Sequence, residues 1–221
     1  MSIPSNSENV KRKYDSPRRR AQAARTRSDI VEAARRLFEA NGYAGTTVAA
    51  VASEADVAVE TIYRTFGGKA ALLEEVIKAA VAGGAERAAV PVTERPAIRA
   101  VVDEPYARQK IALHAATQPG IHSRSGPLLR ALREAAANDN DLQVVYERLE
   151  GQRLDGMNQY AHDLIATGQT RTDLSPGYIR DVLWTMTSLE VHDRFVLKRE
   201  WSPDEYAEWL CDTLAGLLLD S

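Results

Sequence analysis

The stretch TVAAVASEADVAVETIYRTF, residues 47–66, decides how this chain is read. Apolar residues recur at helical spacing in two short runs, Val48 to Glu54 and Ala58 to Phe66, with Ala55-Asp56-Val57 between them. Neither run is long enough to hold a helix alone in water. Each must brace the other against a neighbour, which is the physical form of a helix-turn-helix unit. Thr47 stands where an N-capping hydroxyl belongs, with Val48, Val51 and Ala52 on the inner face of the first run. Ala52 and Ala55 are small enough to let the two axes approach. Asp56 occupies the turn, where a left-handed backbone is wanted and Asp is tolerated next after Gly.

The neighbours follow from the flanks. Ile30, Ala33, Ala34, Leu37 and Phe38 make one apolar stripe, predicting a helix from Thr26 to Asn41 that Gly42 stops. Thr26 followed by Asp29 resembles a capping pair. A fourth helix opens at Lys69, carries Leu72, Leu73, Val76 and Ile77, and fades near Gly83-Gly84. Residues 1–24 have no apolar periodicity and are read as a disordered basic arm with two clusters, Lys11, Arg12, Lys13 and Arg18, Arg19, Arg20. Such an arm either lies along phosphates or stays solvated.

In a unit of this kind the second helix enters the major groove of DNA. Its outward face here is Val59, Glu60, Thr61, Tyr63 and Arg64, while Ile62 and Phe66 hold it down. Arg64 can bridge two acceptors on guanine, Glu60 can accept from cytosine and Val59 can touch a thymine methyl. Thr47, Thr61, Tyr63 and Lys69 suit phosphate oxygens. A simpler reading pairs Glu60 with Arg64 as an i,i+4 salt bridge on a solvated face. Charge favours DNA: residues 1–69 carry 12 Lys/Arg against 8 Asp/Glu, whereas the whole chain has a net charge of −3.

The pattern Phe38-x-x-x-Gly42-Tyr43-x-x-Thr46-Thr47-Val48, then Ala52, Val57, Thr61-Ile62-Tyr63-Arg64-Thr65-Phe66 and Lys69-x-x-Leu72-Leu73, resembles the DNA-binding domain of the TetR (tetracycline repressor) family over about residues 26–80. The resemblance implies phosphate contacts at Thr47, Thr61, Tyr63 and Lys69 and base-facing positions at Val59, Glu60 and Arg64, with Thr65 in the same DNA-binding set. Two positions depart from it. Asp56 replaces the usual turn glycine, and Ala58 replaces the usual capping serine, at a cost of about 1 kcal/mol to the second helix. The fold implied is all-α: an N-terminal three-helix domain with the helix-turn-helix (25–70), then a helical effector-binding and dimerisation domain (71–221).

Residues 85–105 are hard to read. Beyond them, helical patterns cover Tyr106–Gln118, bounded by Pro119-Gly120; Pro127–Ala137; Leu142–Thr167; Ser175-Pro176 to about Lys198; and a last helix begun by Ser202-Pro203-Asp204-Glu205 and reaching Leu219. The resemblance implies that the last two helices pair with their copies in a homodimer. Their own stripes agree, with Met186, Leu189, Phe195, Trp209, Leu210 and Leu217 as interface candidates, though burial within one chain would use the same residues. A pocket for an unknown small-molecule effector is expected among His114, Arg153, Met157, Tyr160, Trp184 and Thr187, which mix apolar walls with a few polar groups. Met157, Trp184 and His114 are equally at home in a plain core.

Other classes find less support. His114, His122, His162 and His192 are dispersed, with no two at i,i+4, and no phosphate loop or nucleophile elbow appears. An enzyme on a helical bundle is therefore disfavoured, and no cofactor or metal is expected. The single cysteine, Cys211, fits a reducing cytoplasm, and no run is apolar enough to span a membrane. The function expected is a sequence-specific transcriptional regulator: a ligand-responsive repressor on a palindromic operator. The alternatives are an activator, a ligand-independent binder of the same fold, and a nucleoid-type protein indifferent to sequence.

Overall fold

The computed structural model describes residues 17–220. Helix α1 (Pro17–Gly45) leads to α2 (Val48–Glu54), α3 (Val59–Phe66) and α4 (Lys69–Ala82). After α5 (Ala85–Ala88) and a single 3₁₀ turn (Val92–Glu94) come α6 (Pro96–Asp103), α7 (Ala107–Ala136) and α8 (Asn140–Ala166). The chain closes with α9 (Pro176–Met186), α10 (Leu189–His192) and α11 (Pro203–Leu218). The fold is all-α; an isolated bridge between Thr170 and Leu219 is the only β-type pairing among the described residues.

Two apolar clusters organise these helices. One gathers Ile30, Phe38, Val51, Ile62, Leu72 and Ile77 with Leu128, Leu132, Leu142 and Val145. It therefore runs from the helix-turn-helix into the adjoining ends of α7 and α8. The other gathers Ile111, Leu164, Ile179, Leu183, Tyr206, Leu210 and Leu214 at the far ends of the same two helices. Helix α4 joins the halves. Buried Glu74 meets Lys78 at 2.7 Å and Arg148 of α8 at 2.6 Å. From α7, the Arg124 guanidinium donates to Ala80 O at 3.0 Å, covering carbonyls at the end of α4.

The expected boundaries hold where capping chemistry is local. Ser202 and Glu205 form a reciprocal capping box with Pro203 between them. Gly42 breaks α1 with φ 67° and ψ 178°, and Asp56 takes the left-handed turn at φ 51°. Four expectations change. First, α1 starts at Pro17, so residues 17–24 are helix rather than a disordered arm, and Thr26 lies inside it instead of capping it. An exposed helix rich in Ala and Arg has nothing to bury and so carries no apolar stripe. The cluster Lys11, Arg12, Lys13 lies outside the described residues.

Second, α7 runs unbroken through Pro119 and Pro127, where two helices were expected. Neighbouring carbonyls gain side-chain donors: His114 O accepts from Thr117 Oγ1 at 2.7 Å and Ile121 O from Ser125 Oγ at 2.8 Å. Tertiary burial on both faces then outweighs the proline penalty of about 3 kcal/mol. Third, the helix expected from Pro176 to Lys198 ends at Met186. Ser188 recaps the chain by accepting from Val191 N, and a π turn follows over Asp193–Leu197. Fourth, α8 starts at Asn140, because Asp139 caps it by accepting from the amides of Asp141 and Leu142.

Candidate nucleic-acid interface and the interior of the C-terminal half

The reading helix is held from three sides. Thr47 Oγ1 accepts from Ala50 N at 3.1 Å, which fixes the start of α2 and leaves the hydroxyl proton free to donate. Val57 N returns to Ala52 O at 2.9 Å and closes the turn. Ala58 gives α3 no side-chain cap, but Gly67 ends it at φ 90° with its amide on Tyr63 O. Underneath, Ile62 is fully buried, and the Arg27 guanidinium lies 4.5 Å from the centroid of the Phe66 ring. Arg27 also reaches Glu75 of α4 and Thr65 O, so α1 clamps the end of α3.

What α3 leaves outside is a narrow polar ridge. Glu60, Tyr63 and Arg64 are exposed, Tyr63 by 52%, while Thr61 and Thr65 are half-buried beside them. Neither Glu60 nor Arg64 makes an ion pair among the described residues, so the alternative of a Glu60–Arg64 bridge finds no support. Val59 is partly buried and packs on the core, which limits its reach toward a base. Lys69 departs furthest from expectation. Its Nζ donates to Tyr43 O at 2.7 Å and Thr46 O at 2.8 Å and sits 4.0 Å from the Tyr43 ring centroid. It ties α4 to the chain leaving α1. Burial pushes its pKa down, while Asp139 pulls the other way.

The six expected effector-contacting residues pair up across α7, α8 and α9. The His114 and Tyr160 rings lie 4.6 Å apart, the Arg153 guanidinium stacks 4.7 Å from the Trp184 ring, and Thr187 Oγ1 is 3.9 Å from Met157 Sδ. Three further rings not singled out from the sequence, those of His122, His192 and Tyr206, form a second contact group in the same half. The His122 and His192 rings are 4.6 Å apart, and His192 meets Tyr206 edge-on at 5.1 Å. The signal was present as His114, Gln118 and His122 at i, i+4 and i+8, one stripe of a single helix. Reading Pro119-Gly120 as a helix end cut that stripe in two. Burial lowers the pKa of both His114 and His122 to about 4, with His192 adding to the effect at His122.

The six candidate interface residues separate. Leu210 is fully buried within its own chain and belongs to the second core cluster, so it has no surface to give a partner. Phe195 and Trp209 lie 4.2 Å apart in an aromatic group with Trp201. Met186 and Leu189 are half-buried, and Leu217 is 37% exposed on the outer face of α11. Tyr178 on α9 is also exposed, 47%.

Residues 30–76 match the family profile described as "Bacterial regulatory proteins, tetR family". No curated protein sequence matches the chain. Among solved structures, a Rhodococcus sp. protein assigned to the TetR family of transcriptional regulators superposes with a TM-score of 0.66 at 20% identity, covering 88% of this chain and 98% of that one. NalD of Pseudomonas aeruginosa, the secondary repressor of the MexAB-OprM multidrug efflux pump, gives 0.65 at 19% identity over 90% and 99%. The transcriptional regulator FadR of Bacillus subtilis, in complex with stearoyl-CoA, gives 0.64 at 18% identity over 84% and 96%. These identities establish a shared fold and nothing finer, whereas the matched segment contains the capped, clamped helix pair just described. Over residues 30–76, the segment that carries the helix-turn-helix, the chain matches the model of the TetR family of bacterial regulatory proteins.

Proposed function

We propose that this protein is a ligand-responsive transcriptional repressor that binds a near-palindromic duplex as a homodimer. The observation that carries the reading is the ridge on α3: Glu60, Tyr63 and Arg64 stand exposed and unpaired while Ile62 and Phe66 anchor the helix beneath. Arg64 and Glu60 address base edges; Thr47, Thr61, Tyr63 and Thr65 address phosphates. Lys69 acts from behind, by holding α4 against α1. Dimerisation uses the outer faces of α9 and α11, where Tyr178 and Leu217 are exposed. Two copies then place their α3 helices about one DNA turn apart, roughly 34–36 Å. The effector sits between α7, α8 and α9 and works by preferring a conformation in which that spacing is wrong. Such a protein acts in the cytoplasm, where its DNA is; among the described residues no helix is long and apolar enough to cross a membrane.

Sequencing the genomic fragments retained by the purified protein, together with its mass by light scattering, tests this reading. The expected result is a two-fold symmetric motif bound by a dimer. Retention without a common motif, or a monomer at the concentrations that bind DNA, overturns it.

A further inference from the structure

Along α7 the two apolar clusters are separated by a buried polar stretch. Between Ala115 and Leu128 on α7 lie Gln118, His122 and Ser125, all buried, with buried Thr187 and His192 opposite. A polar layer between two apolar ones is costly unless its members find partners. Some do within their own helices: Ser125 donates to Ile121 O at 2.8 Å and Thr187 to Leu183 O at 2.7 Å. Others do not. The hydroxyls of Tyr160 and Tyr206 and the indole nitrogen of Trp184 are buried without a hydrogen-bond partner among the described residues, and neither ring nitrogen of His122 makes a well-formed hydrogen bond, although the Thr187 backbone faces the ring.

The charges bordering this layer are already matched. Arg153 is paired with Glu150 at 2.9 Å and also donates to Trp184 O at 2.6 Å. Asp193 is paired with Arg130 at 2.9 Å and approached by His192 Nδ1 at 3.2 Å. An ionic ligand placed here would lose its hydration and find no free countercharge. Protonating His122 to supply one is opposed chiefly by burial, with His192 and Arg153 adding to it; the Thr187 backbone and Asp193 pull the other way, and the net pKa is lowered to about 4. What remains on offer is neutral: an imidazole with one N–H and one lone pair, phenol hydroxyls and an indole N–H, set among aromatic and thioether walls.

Resting on the effector-domain reading above, we infer that this layer, centred on His122, binds an uncharged, flat molecule that carries both a hydrogen-bond donor and an acceptor.

Three near-isosteric probes separate the possibilities: benzamide, benzoate and benzamidinium. Each is titrated into the full-length protein to about 10 mM, where fragment-sized ligands bind measurably. The readouts are the ¹⁵N signals of the His122 imidazole and the melting temperature. Benzamide is expected to shift the His122 signals saturably and to bind about tenfold or more tighter than either ion. His122→Leu is expected to abolish benzamide binding, and the wild-type spectra decide the matter even where that variant fails to fold. The inference is overturned if either ion binds as well as benzamide, or if benzamide leaves the His122 signals unmoved because water alone satisfies these groups. DNA retention measured without any probe tests the regulator reading separately, so failure of one is distinguishable from failure of the other.

Discussion

Replacing Lys69 with Met separates two roles for one cation. The family pattern makes Lys69 a phosphate contact; the structure makes it a brace. Its ammonium donates to the carbonyls of Tyr43 and Thr46, just past the break at Gly42, and rests on the Tyr43 ring. Met preserves most of the stem volume and removes the charge. Two charge-assisted bonds contribute about 1.5–3 kcal/mol each when shielded, and the ring contact about 0.5–1 kcal/mol. Lys69 is only partly buried, so solvent reduces the sum, and about 2–4 kcal/mol is a reasonable net loss. For a chain of this size each kcal/mol shifts the melting temperature by roughly 2–4 °C, giving a fall of about 4–16 °C by calorimetry in the absence of DNA. The salt dependence of DNA binding should keep its slope, because no phosphate contact is lost. A melting temperature within about 1 °C of wild type, with a slope reduced by about one charge, would refute the bracing role and return Lys69 to the phosphates.

Three further outcomes are expected. Lys110, 3% exposed by side chain, donates to Val101 O, Val102 O and Asp163, so Lys110→Met strands a partly buried carboxylate and should cost about 3–5 kcal/mol in urea unfolding; a loss under about 1 kcal/mol would contradict that. Gly42→Ala meets no atom within 4 Å of the new Cβ, yet φ 67° with ψ 178° is backbone that only glycine adopts readily, so about 1–3 kcal/mol should be lost to strain alone; an unchanged denaturation midpoint would mean the break relaxes freely. His114 and His122 titrate near 4 when folded and near 6.5 when unfolded, so the unfolded chain takes up protons first as pH falls. Their contribution is complete above pH 6.5 and erodes toward pH 4, by about 2 kcal/mol each at pH 5. Equal stability at pH 7.5 and pH 5 would contradict their burial as neutral rings, and replacing both with Gln should flatten the slope.

The features legible in the sequence are those fixed by neighbouring residues. Thr47, Asp56, Gly67, Ser202 and Glu205 announce their turns and caps because each satisfies or relieves the backbone within a few positions. The ridge on α3 was legible for the same reason, since Ile62 and Phe66 fix which way Tyr63 and Arg64 point. Features decided by distant packing were not. Pro119 and Pro127 mark helix ends by local rules, yet α7 passes through both because its two ends are buried in two different clusters. The same misreading hid the His114–Gln118–His122 stripe and its contact with His192, 70 positions further on. Leu210 had the spacing of an interface residue, but periodicity reports that a face is apolar without saying what covers it. The hold of Lys69 on Tyr43 O and Thr46 O was not legible either, because a lysine at a helix start says nothing of the carbonyls that the preceding chain brings to it.

The claim that α3 reads base edges is tested most directly by measuring the affinity of Arg64→Ala for the selected symmetric duplex and for random duplex at one salt concentration. The account predicts a loss of about 1–3 kcal/mol per half-site on the symmetric duplex, relaxed preference at one base pair in each half, and little change on random DNA. An equal loss on both duplexes, or none on either, would contradict it.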